Sequence, residues 1–356
     1  MPYSPRVRLP AEWEPQAGVM LTWPHKGTDW ADRLGDVYPV FAAIGAAIAA
    51  RERVLSVCHS PDHAAEVRRH LHAAGAHSDR LLFAMADSND SWARDHGPLT
   101  TLADGQATLH AFVFNGWGGK FEAALDAAIP TRLRAQGSFA ETPMQAHGLV
   151  LEGGAIETDG QGTLLATRSS VISATRNPGY DQGAMEQALA ERLGLDRFLW
   201  LDHGDVSGDD TDGHIDTLAR FADPGTIVHA TAPPGDQDHA ALAAMAAQLA
   251  ALRTRDGRPY RLLALPFPGV HRDHDGRRLP ATYANFLVVN GAVLLPTYGV
   301  AEDRGAVRIM QAAFANREIV AIDCREIIRQ NGSLHCLTMQ FPAQVELRDT
   351  LEFVAA

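Results

Sequence analysis

Cysteine is scarce in this chain: 356 residues contain three, Cys58, Cys324 and Cys336. An odd number without metal-ligand spacing excludes a disulfide framework and a cysteine zinc site, and it fits a reducing compartment with one thiol left for chemistry. Long apolar runs are lacking too. No stretch approaches the ~18 apolar residues needed to span a bilayer, and residues 1–8 lack the apolar core of an export signal, so the expectation is a cytoplasmic protein. Positive charge is in deficit: 31 Lys and Arg against 43 Asp and Glu give a formal net charge of −12. That balance argues against nucleic acid or an anionic membrane as partner and favours a cationic one through the long-range field. Aromatic residues make up only 7%, but 46% of the chain is hydrophobic, enough for a substantial core. No low-complexity linker interrupts the chain, so it reads as a single domain over 1–356.

What the sequence does have is a repeated unit of two short strands joined by a tight turn. Residues 97–102 turn at Asp104-Gly105 into 107–112, and 154–158 turn at Asp159-Gly160 and return through 163–167. Residues 214–221 turn at Asp223-Pro224-Gly225 into 226–230, and 285–289 turn at Asn290-Gly291 into 292–296. Asp-Gly and Asn-Gly pairs between apolar runs are hairpin signals because such turns need positive φ. Apolar residues at three and four spacing predict helices over 36–51, 62–74, 121–132, 182–193, 238–252 and 302–314. The hairpin-plus-helix units begin near Gly97, Gly154, His214 and Ala284, at separations of 57, 60 and 70 positions. An opening segment at Gly18–Pro24 and a closing strand at Cys336 bring the total to about five.

Polar residues stand where these units open: Asp95, Glu152, His214 with Asp216, and Cys336. Similar modules set around one axis would bring them together. Cys336 follows Asn331-Gly332-Ser333, read as a flexible loop, and His335, at a loop-to-strand edge where a reactive thiol belongs. Cys58 and Cys324 lie in apolar strands and read as core. His214 and Asp216, two apart on an expected strand, would face the same side, a proton-transfer group beside a cation-holding carboxylate. Plainer readings stand beside these: a packed thiol for Cys336, a surface ion pair for Arg94-Asp95, a solvated strand end for Glu152, and a solvated turn for Asp209, Asp210 and Asp212. The stretch from Asp205 to Asp216 lacks the ligand spacing and closing Glu of a calcium loop, so no metal is expected.

Together these motifs resemble the guanidine-modifying enzymes of the pentein superfamily, within them the agmatine deiminase and bacterial-type peptidylarginine deiminase family. The likeness spans nearly the whole chain. It rests on Leu9-Pro10-Ala11-Glu12-Trp13-Glu14-Pro15-Gln16, Trp23-Pro24, Trp92-Ala93-Arg94-Asp95-His96-Gly97-Pro98, Phe114-Asn115-Gly116-Trp117-Gly118-Gly119-Lys120, Leu151-Glu152-Gly153-Gly154, Arg176-Asn177-Pro178, Gly208 to Asp216, and Leu334-His335-Cys336.

The resemblance implies a five-bladed α/β propeller and a cofactor-free hydrolase. It makes Cys336 the nucleophile, His214 the general acid and base, and Asp95 and Asp216 the carboxylates gripping a guanidinium. Trp92, Glu152, Asp210 and Asn285 are the implied substrate-binding residues. The chemistry suits the roles. A guanidinium stays protonated and wants carboxylates in planar geometry, and its charge can favour the thiolate form of a nearby cysteine. Departures at Gln330–Ser333, Asp212 and Lys26–Trp30 leave the substrate tail open; the lack of an export signal and the acidic balance put agmatine first and peptidylarginine second. An amidinotransferase, a non-catalytic binding ring and a metal-dependent hydrolase using Asp209 to Asp216 are the alternatives of other classes. A homodimer is expected on general frequency.

Overall fold

The computed structural model describes residues 7–351; the first six residues, part of the stretch read for an export signal, lie outside them. The chain forms two compact units. One comprises Glu14–Gly153 with the segment from Leu337 onward, the other Gly154–Cys336 with the segment ending at Trp13.

A single motif builds both. In the first unit, Leu99–Ala103 and Gln106–Val113 form an antiparallel hairpin, Ala124–Gln136 is a helix, and Met144–Val150 returns parallel to the second strand. The Asp104-Gly105 turn has φ of 50° and 79°, the two positive values that the sequence pair predicts. The other sheet of this unit joins both ends of the chain: Thr338–Pro342 runs antiparallel to Gln16–Thr22, which is followed by the parallel strands Arg53–Cys58 and Leu81–Met85. Helices Leu34–Ala49 and Pro61–Ala73 make the crossovers.

The second unit repeats the motif three times. Glu157–Thr158 with Thr163–Thr167, Ala219–Asp223 with Thr226–His229, and Leu287–Val289 with Ala292–Thr297 are the hairpins. Helices Gln182–Leu193, His239–Ala251 and Asp303–Ala313 follow them, and Arg197–Leu201, Arg261–Ala264 and Glu318–Asp323 close the sheets in parallel. All six helices expected from periodicity are present within three or four residues at each end. Their apolar faces cover the sheets, as crossover helices must when strands run parallel. One addition interrupts the pattern, a small hairpin of His271–Arg272 with Arg278–Leu279.

The opening residues of the modules sit elsewhere than the periodicity implies. His214 and Asp216 are not on a strand: Ile215–Thr217 is a 3₁₀ turn and the strand begins only at Ala219. Two residues apart in such a turn do not share a face. The cause is local bonding and packing: Thr217 Oγ1 donates to the His214 carbonyl at 2.9 Å, and Ile215 and Leu218 are buried in the apolar cluster around Met245 and Phe221. Cys336 likewise lies in a 3₁₀ turn, His335–Leu337, and Asp95 in the helical turn Ala93–His96. Asn285 precedes its strand, which starts at Leu287. The run before Cys336 is a loop packed inward: Ser333, Leu334 and His335 are all buried and Tyr298 Oη lies 3.3 Å from Ser333 Oγ.

Candidate functional site

In the second unit, Asn285 organises the thiol. Its side chain is fully buried, and its Oδ1 accepts from the backbone N–H groups of His335 at 2.8 Å and Cys336 at 3.3 Å. Those two donors fix which end of the amide is oxygen, so Nδ2 faces the Asp216 carbonyl at 3.3 Å and Cys336 Sγ at 3.2 Å. Cys336 is only 5% exposed and its Sγ stands 3.7 Å from Asp216 Oδ2. The sequence-expected trio of Cys336, Asp216 and Asn285 is therefore one cluster.

Asp216 is completely buried, a position that by itself would protonate it. Burial does push its pKa up, but the hydrogen bond and charge of His335, with His214 and Arg220, override that and hold it below the ordinary carboxylate range. Oδ2 faces His335 Nδ1 at 2.8 Å, while Oδ1 is buried with no hydrogen-bond partner among the described residues. An ionised carboxylate with one oxygen anchored and one open is what a protonated guanidinium can engage. Behind it lie residues whose roles the sequence did not reveal. His335 Nε2 meets Glu12 Oε2 at 2.8 Å, Arg220 Nη2 donates to the same oxygen at 2.8 Å, and Arg220 Nε donates to Glu157. The one available signal was position: Glu12 falls in the N-terminal motif and His335 directly precedes Cys336.

His214 is fully buried and enters the site on a loop braced at several points. Asp209 Oδ2 accepts from Gly213 N at 2.8 Å and Oδ1 from Thr211 Oγ1 at 2.6 Å, while Arg176 clamps Asp212 at 2.7 Å and the Thr211 carbonyl at 2.9 Å. Asp212 and Gly213 hold positive φ, 68° and 85°, so the chain reverses just before His214. Asp209 is thus a structural cap rather than a solvated residue, and desolvation lifts it to about 6 against the pull of these hydrogen bonds. Asp210 Oδ2 accepts from Asn331 Nδ2 at 2.8 Å, tying this loop to the one that leads to Cys336.

In the first unit, Arg94 and Asp95 are buried, which removes the surface ion-pair reading. Asp95 Oδ2 accepts from Trp117 Nε1 at 2.9 Å. Trp92 is buried, its Nε1 donates to Asp90 Oδ2 at 3.0 Å, and its ring packs 5.9 Å from that of Trp30. Glu152 is buried as well, not a solvated strand end. Gly153 lies so close to the Asp95 turn that a Cβ there would stand 2.3 Å from the Arg94 carbonyl oxygen, which is why the residue after Glu152 is glycine. Cys58 and Cys324 are core thiols, as expected, with burial pushing both well above the ordinary thiol range. Among the described residues no group of three His, Cys, Asp or Glu side chains could hold a metal ion, and no helix is long and apolar enough to cross a membrane.

Residues 8–342 match the profile of the Porphyromonas-type peptidyl-arginine deiminase family. The chain belongs to that family. Within it, the sequence is 32% identical to the agmatine deiminase of Stutzerimonas stutzeri over 94% of this chain and 95% of the relative. The fold is similar to that of a Porphyromonas gingivalis protein assigned provisionally as an arginine deiminase, with TM-score 0.89, 46% identity and coverage of 96% of this chain and 100% of the other. It is similar also to a Cys-to-Ser variant of C. jejuni agmatine deiminase with substrate bound, with TM-score 0.87, 30% identity and coverage of 96% and 97%. The α/β fold is therefore one that family members share.

Proposed function

We propose that this family member hydrolyses a guanidinium group, with agmatine as substrate and N-carbamoylputrescine and ammonia as products. The observation that carries the reading is the buried pair of Cys336 Sγ and the ionised Asp216, 3.7 Å apart, with Asp216 Oδ1 open. The relatives named agmatine deiminase supply the substrate.

In this scheme Asp216 and Asp95 hold the guanidinium, and Trp92, Glu152, Asp210 and Asn285 shape its surroundings. A thiolate beside the Asp216 carboxylate is disfavoured by like charge, so the thiol gives up its proton, to His214, when the cationic substrate arrives. Sulfur attacks the guanidinium carbon. A C–N bond then breaks, and ammonia leaves with a proton delivered by His214, giving a covalent thiouronium. Water, deprotonated by the same His214, adds to that carbon; the C–S bond breaks, the thiolate is restored and the ureido product departs. No cofactor or metal takes part. The five modules as blades of one catalytic domain over 1–356, a homodimer and a cytoplasmic location complete the reading.

The second reading is peptidylarginine, favoured by the name of the matching family. Offering agmatine, free arginine and a blocked arginyl peptide in parallel, and measuring ureido product and ammonia, separates them. Agmatine turnover that survives a chelator is the expected result, and exclusive turnover of the peptide overturns the substrate.

A further inference from the structure

We propose that His335 is a positioning residue, held as a doubly protonated imidazolium between Asp216 and Glu12, that keeps Asp216 ionised and turned toward the substrate cation. The inference rests on the deiminase reading for its consequence, though not for its geometry. Each ring nitrogen stands 2.8 Å from a carboxylate oxygen, Nδ1 from Asp216 Oδ2 and Nε2 from Glu12 Oε2. A neutral imidazole has a single N–H, so one of these contacts would set a nitrogen lone pair against a carboxylate lone pair. A second proton is therefore needed, on the ring or on one of the acids. Glu12 is a poor place for it. Its Oε1 accepts from Val288 N at 2.7 Å and its Oε2 from Arg220 Nη2 at 2.8 Å, both donors that favour the ionised form. Asp216 is a poor place too, because His335, His214 and Arg220 all act on it in the direction of ionisation. The proton belongs on His335.

The result is a buried row alternating in sign: Glu157 negative, Arg220 positive, Glu12 negative, His335 positive, Asp216 negative. Arg220 is locked in it by the Phe286 carbonyl, which accepts from Nη1 at 2.7 Å, and by the Phe286 ring 4.6 Å from its guanidinium carbon. The five charges sum to one negative charge, and the end of the row at Asp216 Oδ1 is where a cation would continue the alternation. Each interior member offsets its neighbour's desolvation, which is how a fully buried carboxylate stays charged without its charge being consumed. The Asn285 amide, braced on the His335 and Cys336 backbone, ties the same segment to the thiol, so the imidazolium, the carboxylate and Sγ move as one.

Histidine labelled with ¹⁵N in the wild-type protein tests the protonation state without any assay of turnover. At pH 8.5 an ordinary histidine, with pKa about 6.5, is neutral; among the 16 histidines, one ring with both nitrogens protonated is expected to persist, to vanish in His335→Gln and to shift in Glu12→Gln. A spectrum in which every ring is neutral overturns the proposal. Kinetics gives the second readout. Loss of the imidazolium raises the Asp216 pKa, so the acid limb of kcat/KM for agmatine moves up: the ratio of kcat/KM at pH 8.5 to that at pH 6 rises in His335→Gln, ~10-fold for each pH unit by which the acid limb passes beyond pH 6, and rises by less in Glu12→Gln. Equal losses at both pH values would show a packing role only and overturn the proposal. If His335→Gln does not fold, the wild-type and Glu12→Gln spectra still decide. Agmatine left unturned with the imidazolium present would count against the deiminase reading alone.

Discussion

Two buried carboxylates, Asp216 in one unit and Asp126 in the other, are driven in opposite directions. Asp126 receives backbone N–H groups from Asn89 at 2.7 Å and Asp90 at 3.2 Å, yet desolvation outweighs them and pushes it up to about 7. Its neighbour Asp90 follows, raised to about 7 by desolvation and by the Asp126 and Asp29 charges. Asp216 is buried as deeply and ends below the ordinary range, because its partners are His335, His214 and Arg220. Dipoles alone do not hold a desolvated charge; opposite charge does. The difference marks which acid can meet a cation in ionised form and which belongs to a polar brace behind Trp92.

The comparison breaks most visibly at Asp216 itself. Asp216→Asn keeps the volume and removes the charge, so turnover of the guanidinium substrate is expected to fall on the order of a thousand-fold, the scale on which a single preorganised electrostatic contact acts in catalysis. An ammonia-release assay on the purified variant measures it, and a loss under tenfold would remove Asp216 from the chemistry. The next effect falls on stability. Arg220→Met strips the cation from between Glu12 and Glu157 and leaves buried carboxylates uncompensated, at a cost of ~3–5 kcal/mol in chemical denaturation. An unchanged denaturation midpoint would mean that the row of charges is not a unit.

The smallest effect sharpens the contrast through pH. A carboxylate raised on folding lends stability that is full below its unfolded pKa of about 3.9 and is lost as pH rises through the folded value, here about 7. Asp126→Asn removes that dependence. Its stability relative to wild type is therefore expected to improve between pH 5 and pH 8, by ~1–2 kcal/mol, and denaturation at the two pH values checks the sign. A relative stability that worsens with pH would assign Asp126 a depressed pKa.

Much of the architecture was legible because it is local. Hairpin turns announce themselves through Asp-Gly and Asn-Gly, and the six crossover helices through apolar spacing. The return strands were harder to read, since a short apolar run carries no mark of the strand it will join. Cys336, Asp216 and Asn285 were named from motifs and proved to be neighbours. The geometry of His214 and Asp216 was misjudged, because period-two reasoning applies to strands and these residues occupy a 3₁₀ turn fixed by Thr217 and by burial of Ile215 and Leu218.

By itself the amino-acid order determined the module, its repetition, the acidic balance and the separation of the Cys336 thiol from two thiols in core strands, all properties of segments a few residues to one helix long. Tertiary structure alone decided the row Glu157, Arg220, Glu12, His335 and Asp216. Those residues come from segments as far apart as positions 12 and 335, and the free energy of a buried charge depends on which charge lies beside it in space, a quantity that no single stretch of sequence contains.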